Sequence, residues 1–432
     1  MHDTFRSCSD HRTGAAGCDL LASTYAVVLA GGRGSRLRQL TDWHAKPAMP
    51  FGGRHCVIDF TLSNCINSGV RRIAVLTQYK AQSLIRHLMQ GWSFLDAGRG
   101  EFIDVVPAQQ RIGDGWYSGT ANAVFQNLDM LHEAGPRLVL VLAGDHVYKM
   151  DYGVMLAEHV DSGADATVAC LEVPLAQASA FGVMCVDAAA RVVAFDEKPC
   201  RPRALPGHGD QALASMGIYV FDAEFLYREL ARDALRDASC HDFGADILPQ
   251  ALLHGRVHAH DFHASAVGRT GQAPYWRDVG TLDAYWQANL DLTAVVPDLD
   301  LWDEAWPIRS LPEQLPPARF VFDEAGRRGM ALDTLVAGGC IVSGATVRRS
   351  VLFARARVGE GSLVEDTLLL PGAVVGRNVV LRRTIVDAGC VVPDGIKVGN
   401  CPAEDAAHFT VTDTGVTLVT AAMLAPALPV NS

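Results

Sequence analysis

Apolar residues along the 432-residue chain follow two patterns, and one gives way to the other near residue 300. Between residues 23 and 300, short apolar runs at 25–30, 72–76, 138–143, 167–171 and 218–221 end in turn-forming residues and alternate with longer mixed segments. The stretch 81–90 spaces its apolar residues as one face of a helix does. Buried strands separated by amphipathic helices predict an α/β unit on a mostly parallel sheet, of the Rossmann-like kind. Residues 1–22 carry scattered polar side chains and no apolar period, which predicts a mobile extension.

The segment 301–330 reads as a linker, being rich in Pro and Trp from 302 to 317. From 331 to 432 small apolar residues return every five or six positions, through Ile341, Val347, Leu352, Val358, Leu363, Leu369, Val375, Val380, Val386 and Val392. Glycine follows several of them, as in Val358-Gly359, Val375-Gly376 and Val398-Gly399. That spacing predicts a left-handed parallel β-helix, whose short strands turn a corner and stack an aliphatic residue inward. A β-sandwich would instead alternate with period two.

A chain of this length suggests two cores. The net charge of −11 argues against a general nucleic-acid binder, so any phosphate ligand must meet locally placed cations. Eleven cysteines stand at irregular spacings with no C-x-x-C pair, which favours reduced thiols over a zinc or redox framework. No apolar run approaches the roughly 20 residues of a membrane span, and no signal-peptide pattern opens the chain. A cytoplasmic protein without membrane contact is expected.

Chemistry concentrates where apolar strands end. Leu29-Ala30-Gly31-Gly32-Arg33-Gly34-Ser35-Arg36-Leu37 follows the first strand, at the carboxyl edge where open α/β sheets bind ligands. Gly31, Gly32 and Gly34 allow backbone N–H groups to approach a phosphate, Arg33 and Arg36 supply forked donors, and Lys46 adds a third cation. The segment is neither a Walker A loop nor a full G-x-G-x-x-G fingerprint. Leu142-Ala143-Gly144-Asp145-His146 ends a second strand in a carboxylate suited to Mg²⁺, and Trp276-Arg277-Asp278-Val279-Gly280 offers another. Glu197 and Lys198 pair an acid with a base after the run 192–195, where Lys198 could clamp a sugar phosphate. Such a pair is more often solvated surface. Tyr117 and Ser215 carry no signal of their own.

Taken together, LAGGRGSRL, DFTLSNCINSGVRRIAVLTQY, LAGDHVYKMDY, ASAFGVM, SMGIYVFDA, APYWRDVGTLDAYW and NLDLTAVVPDLDLWDEAWPIR closely resemble the bacterial ADP-glucose pyrophosphorylases, or glucose-1-phosphate adenylyltransferases. The likeness runs from about residue 25 to 419. It implies that Asp145 and Asp278 form a metal-binding catalytic pair, that Gly31, Gly32, Arg33, Gly34, Arg36 and Lys46 contact ATP, and that glucose 1-phosphate meets Tyr117, Gly182, Glu197, Lys198 and Ser215. It also implies Mg²⁺ dependence, a homotetramer and a place in glycogen synthesis. Uridylyl or thymidylyl transfer on the same scaffold is the nearest alternative. A noncatalytic regulatory subunit would carry damaged catalytic positions, whereas Asp145, Lys198 and Asp278 are intact.

Enteric members of that family bind fructose 1,6-bisphosphate and AMP at a cationic site between domains, and here the chain departs. Trp43 stands at the activator lysine position, Ala421 and Ala425 at two C-terminal arginine positions, and His44 and Pro50 at an AMP-site arginine and histidine. Arg382 and Arg383 remain as candidate anion contacts. Each charge-assisted contact is worth about 1.5–3 kcal/mol, so weakened or altered effector control is expected.

Overall fold

A computed structural model of the chain describes residues 15–32, 34–109, 116–207, 209–268, 273–324 and 326–424. The five apolar runs become the middle of a nine-stranded sheet. Its main path runs Val192–Glu197, Gly182–Val186, Gln211–Asp222, Leu138–Ala143, Thr24–Ala30, Arg72–Thr77 and Phe102–Pro107; Ala166–Pro174 branches from Gln211–Asp222 and carries Val257–Asp261 on its far side. Thr24–Ala30 pairs in parallel with Arg72–Thr77 and Leu138–Ala143, and Arg72–Thr77 in parallel with Phe102–Pro107. Helices pack on both faces of this parallel portion, so residues 138–142 lose all contact with solvent. Each such Val or Leu contributes about 1.5–3 kcal/mol of burial free energy. The carboxyl ends of these strands leave one open edge, as doubly wound sheets do.

Helix Ile58–Ser68 explains why SNCINSG is so polar and yet internal. Thr61, Ser63, Asn64 and Ser68 are all buried, and each is used. Thr61 Oγ1 donates to the Ala143 carbonyl at 3.1 Å, Asn64 Nδ2 to the Tyr148 carbonyl at 3.2 Å, and Ser68 Oγ accepts from the Tyr152 N–H at 2.8 Å. Gly69 ends the helix at φ 90°, a left-handed conformation that favours glycine. The helix thereby pins the backbone on either side of Gly144-Asp145.

Two expected boundaries shift. Ala15–Ala22 is a helix rather than part of a mobile extension: Leu20 and Leu21 pack on the core, and Thr24 Oγ1 donates to the Leu20 carbonyl at 2.8 Å. Two leucines at its end are too few to register as a period. Residues 1–14 lie outside the described residues. The segment 301–330 is not simply a tether either. Trp306 Nε1 donates to Asn64 Oδ1 at 3.0 Å, the Arg309 N–H to Ser63 Oγ at 2.8 Å, and Lys149 Nζ pairs with Asp303 at 3.1 Å. It straps helix Ile58–Ser68, and its Arg319–Val321 already pairs in parallel with Ile341–Ser343.

The remainder forms a three-faced parallel β-helix in which Val342, Val358, Val375 and Val392 stack rung upon rung. Where the spacing pointed to Ile341, Leu363 and Val380, the inward residue is the next one, Val342, Val364 or Leu381. These strands hold three residues, and the central one faces in. On a third face the alternation serves two cores. Leu352, Leu369, Val386 and Val419 fill the β-helix, while Val351, Leu368, Ile385 and Leu418 join Phe51, Tyr285 and Trp286 of the α/β unit.

Candidate active site

The loop after Thr24–Ala30 turns at Gly34, which has φ 63°. A Cβ there would stand 3.1 Å from Thr41 Cγ2 and 3.2 Å from Lys46 Cβ, so the loop lies directly on Lys46. Thr41 Oγ1 closes the following turn by donating to the Gly34 carbonyl at 3.1 Å. Lys46 begins a short 3₁₀ turn with Pro47 behind it. Its ammonium reaches Asp145 Oδ2 at 2.7 Å and Asp278 Oδ1 at 2.6 Å, with only 6% of the side chain exposed.

Asp278 arrives from a distant part of the chain because Trp276–Asp278 pairs antiparallel with His146–Tyr148, setting Asp278 opposite His146. Trp276 packs its ring 5.0 Å from His146 and 5.4 Å from Phe181, which holds that short ladder in place. Arg36 Nη2 approaches Asp278 Oδ2 at 3.4 Å. Burial alone would raise the carboxyl of Asp145, but Lys46 and then His146 outweigh it and hold the acid well below the usual range. The same balance, set chiefly by Lys46, lowers Asp278. Burial would lower Lys46, and the two carboxylates reverse that and raise it. Ligand atoms of Asp145, His146 and Asp278 lie within 4.8 Å of one another, so these three could hold a divalent cation.

Beside this cluster opens a cleft of about 390 Å³, lined by Gly31, Gly32, Lys46, Asp145, Tyr117, Glu197 and Gly217 among others. Glu197 Oε1 accepts from Lys198 Nζ at 2.6 Å. Gly182 faces Glu197 across an antiparallel pair, where a Cβ would come within 2.4 Å of Phe195 Cζ and 2.8 Å of Glu197 Oε2. Ser215 lies at a break in strand register, and its hydroxyl accepts from the Gly217 N–H at 3.2 Å. Tyr117 lines the cleft, its carbonyl accepting from Gln78 Nε2 at 3.2 Å and its hydroxyl from Asn127 Nδ2 at 2.9 Å. The structure thus gathers Gly31, Gly32, Lys46, Tyr117, Asp145, Glu197 and, through Lys46, Asp278. Arg33 lies outside the described residues.

Sequence reading assigned no role to His146, Gln78, Asp242 or Gly244. His146 was part of a quoted motif, and Gln78 follows the Arg72–Thr77 strand just as Gly31 follows its own, so the strand-end rule could have found it. Asp242, at the end of a returning loop, and Gly244, in the π-helical turn Phe243–Ile247 that Asp242 caps, both line the cleft. Thr120 Oγ1 donates to Asp242 Oδ2 at 2.8 Å, which fixes that loop.

Residues 25–295 match the family model described as nucleotidyl transferase, and residues 316–419 match a GlmU-like C-terminal hexapeptide model. A glucose-1-phosphate adenylyltransferase of Nitrosomonas europaea is 58% identical over 407 residues, covering 94% of each chain. One from Paramagnetospirillum magneticum is 59% identical over 408 residues, covering 94% of this chain and 95% of the relative. The chain belongs to the glucose-1-phosphate adenylyltransferase family. A relative of that name from Rhodopseudomonas palustris is 55% identical over 401 residues, 92% of this chain and 96% of the other. Family membership accords with the α/β unit and with the left-handed β-helix expected from the hexapeptide spacing.

Within this adenylyltransferase-family chain, the positions that resemblance linked to effectors scatter. Trp43 is 82% exposed, with Lys80 Nζ 5.7 Å from its ring centre. His44 and Pro50 line a second cavity, of about 440 Å³, between the α/β unit and the β-helix. Arg382 pairs with Glu365 at 3.1 Å, and Arg383 donates to the Thr414 carbonyl at 3.0 Å and covers the Trp286 ring. Neither arginine is among that cavity's lining residues. Ala421 opens the helix Ala421–Leu424, and Ala425 lies outside the described residues. Among the described residues no helix is long and apolar enough to cross a membrane.

Proposed function

We propose that this chain transfers the adenylyl group of ATP to α-D-glucose 1-phosphate, releasing pyrophosphate and forming ADP-glucose for glycogen synthesis. The observation that carries this reading is the convergence of Asp145 and Asp278 on Lys46 at the mouth of a cleft bounded by a glycine loop and Glu197. The relatives' shared name supports the choice of adenylyl over uridylyl or thymidylyl transfer.

A phosphate oxygen of glucose 1-phosphate attacks the α-phosphorus of ATP in line, and the bond to the departing pyrophosphate breaks. Gly31, Gly32 and Gly34 admit the phosphates to the backbone, while Arg33, Arg36 and Lys46 stabilise the negative charge that builds on the leaving group. Glu197, whose carboxylate packs against Gly182, accepts from sugar hydroxyls, and Lys198 clamps the sugar phosphate near Ser215 and Tyr117. Two carboxylates and few other protein ligands suit Mg²⁺, which held by Asp145 and Asp278 would supply positive charge at the α-phosphate. Positioning and electrostatics suffice, with no covalent enzyme intermediate.

The division into a catalytic unit at 23–300, a strap at 301–330 and a β-helix at 331–432 belongs to the same reading. So do a cytoplasmic homotetramer and weakened control by phosphorylated effectors, which the substitutions at Trp43, His44, Pro50, Ala421 and Ala425 support. Purified chain given ATP, glucose 1-phosphate and Mg²⁺ should release pyrophosphate faster than with UTP or dTTP. Asp145→Asn should reduce that rate on the order of 10²-fold or more while the chain stays folded at the assay temperature. Silence with ATP, or full activity in the Asn variant, would overturn the assignment.

A further inference from the structure

The second cavity carries a cluster that adenylyl transfer does not use. Cys56 ends the strand His55–Cys56, Asp59 stands in the first turn of helix Ile58–Ser68, and His87 lies on helix Gln82–Gly91. Ligand atoms of the three lie within 4.8 Å of one another. Asp59 is wholly buried and its oxygens are committed. Oδ2 accepts from the Cys56 N–H at 2.8 Å, and Oδ1 accepts from Trp92 Nε1 at 3.0 Å and lies 2.6 Å from His87 Nε2.

A carboxylate against Nε2 keeps the imidazole proton on that nitrogen and leaves a lone pair on Nδ1. That Nδ1 faces Cys56 Sγ across 3.7 Å. Zinc bonds of about 2.3 Å to sulfur and 2.0–2.1 Å to nitrogen, at a tetrahedral angle, would set the two atoms roughly 3.6 Å apart. Thiolate with imidazole is a soft donor set that selects zinc over magnesium, and a carboxylate behind the histidine is the usual second layer of such sites. Cys56 and His87 both line the cavity, with Glu313 also on its wall, so the remaining coordination positions open onto solvent and a carboxylate.

The geometry points to a binding site for Zn²⁺, or another thiophilic divalent cation, held by Cys56 Sγ and His87 Nδ1 with Asp59 as the positioning residue. On binding, the Cys56 S–H bond breaks, a sulfur–metal bond forms, and the proton leaves to solvent. The strap residue Leu311 and the β-helix residues Leu370 and Asp387 share the cavity, so the cation would sit where three parts of the molecule meet.

The test uses the full chain stripped with chelator and titrated with Co²⁺ in excess Mg²⁺, which occupies the catalytic carboxylates. A thiolate-to-cobalt charge-transfer band should grow to one equivalent and disappear when Zn²⁺ is added. Cys56→Ser keeps the backbone N–H that Asp59 needs and should abolish the band. Cys240→Ser, an exposed thiol elsewhere, should leave it intact. Asp59→Asn should weaken Co²⁺ binding 10–100-fold. No band, or a band that survives Cys56→Ser, would each overturn the site and leave an ordinary S–H···N hydrogen bond.

Discussion

Lys46 shows how much one side chain settles. Its ammonium lies between Asp145 and Asp278, 2.7 and 2.6 Å from them, almost fully out of water. Its charge stands where a divalent cation between the two carboxylates would stand, so such a cation would have to compete with Lys46 for them. Lys46→Met should therefore tighten Mn²⁺ binding to the nucleotide-free protein about tenfold while slowing turnover, as read by calorimetric titration and pyrophosphate release. Unchanged Mn²⁺ affinity would show that the two cations do not compete. The pH window follows from the signs. The lowered carboxyls of Asp145 and Asp278 contribute stability that is complete above their ordinary value of 3.8 and lost as pH falls through the folded values. The raised ammonium contributes stability that is complete below 10.5 and lost as pH rises through its folded value. The triad thus holds across the whole neutral range.

At the scale of elements, what was legible is what local spacing encodes. Apolar runs located the parallel strands, the rule that ligands gather at their carboxyl ends singled out Gly31 and Asp145 as candidates, and Lys46 was legible only as a cation close after the glycine loop. His146 and Asp242 were not legible as site residues. The first gains its place from the antiparallel pairing of His146–Tyr148 with Trp276–Asp278, the second from a loop tied to Thr120, and no local period records either contact. The β-helix register slipped by one residue at Ile341, Leu363 and Val380 because a corner can take up one position without breaking the repeat. Gly182 was named from resemblance, and the ladder supplies its reason. A side chain there would collide with Phe195 and crowd Glu197 Oε2. If Glu197 holds the sugar as proposed, Gly182→Ala should raise the KM for glucose 1-phosphate about tenfold and leave the KM for ATP within about twofold. Equal losses for both substrates would place the damage in the fold rather than in the sugar pocket.

At the scale of the whole molecule, the β-helix packs behind the turn that follows the glycine loop. Phe353, Leu368 and Ile385 share one buried cluster with Leu37 and Leu40 of the loop's turn, Met49 after Lys46, and Val279 after Asp278. Trp286 Nε1 also donates to the Asp366 carbonyl at 2.8 Å across the same junction. Close-packed interiors transmit displacement rather than absorb it, so a void here should reach the catalytic cations from behind. Phe353→Ala should cost about 3–5 kcal/mol. Leu369→Ala, which opens a comparable void within the β-helix interior alone, should cost about 2–5 kcal/mol. Both variants should lower the thermal midpoint, on the order of 5 °C. Only Phe353→Ala should also raise the KM for ATP, by about threefold or more, when assayed well below either midpoint. If both variants shift the KM alike, the effect is general loosening. If neither does, the junction holds the two units together without setting the geometry of Lys46 and Asp278.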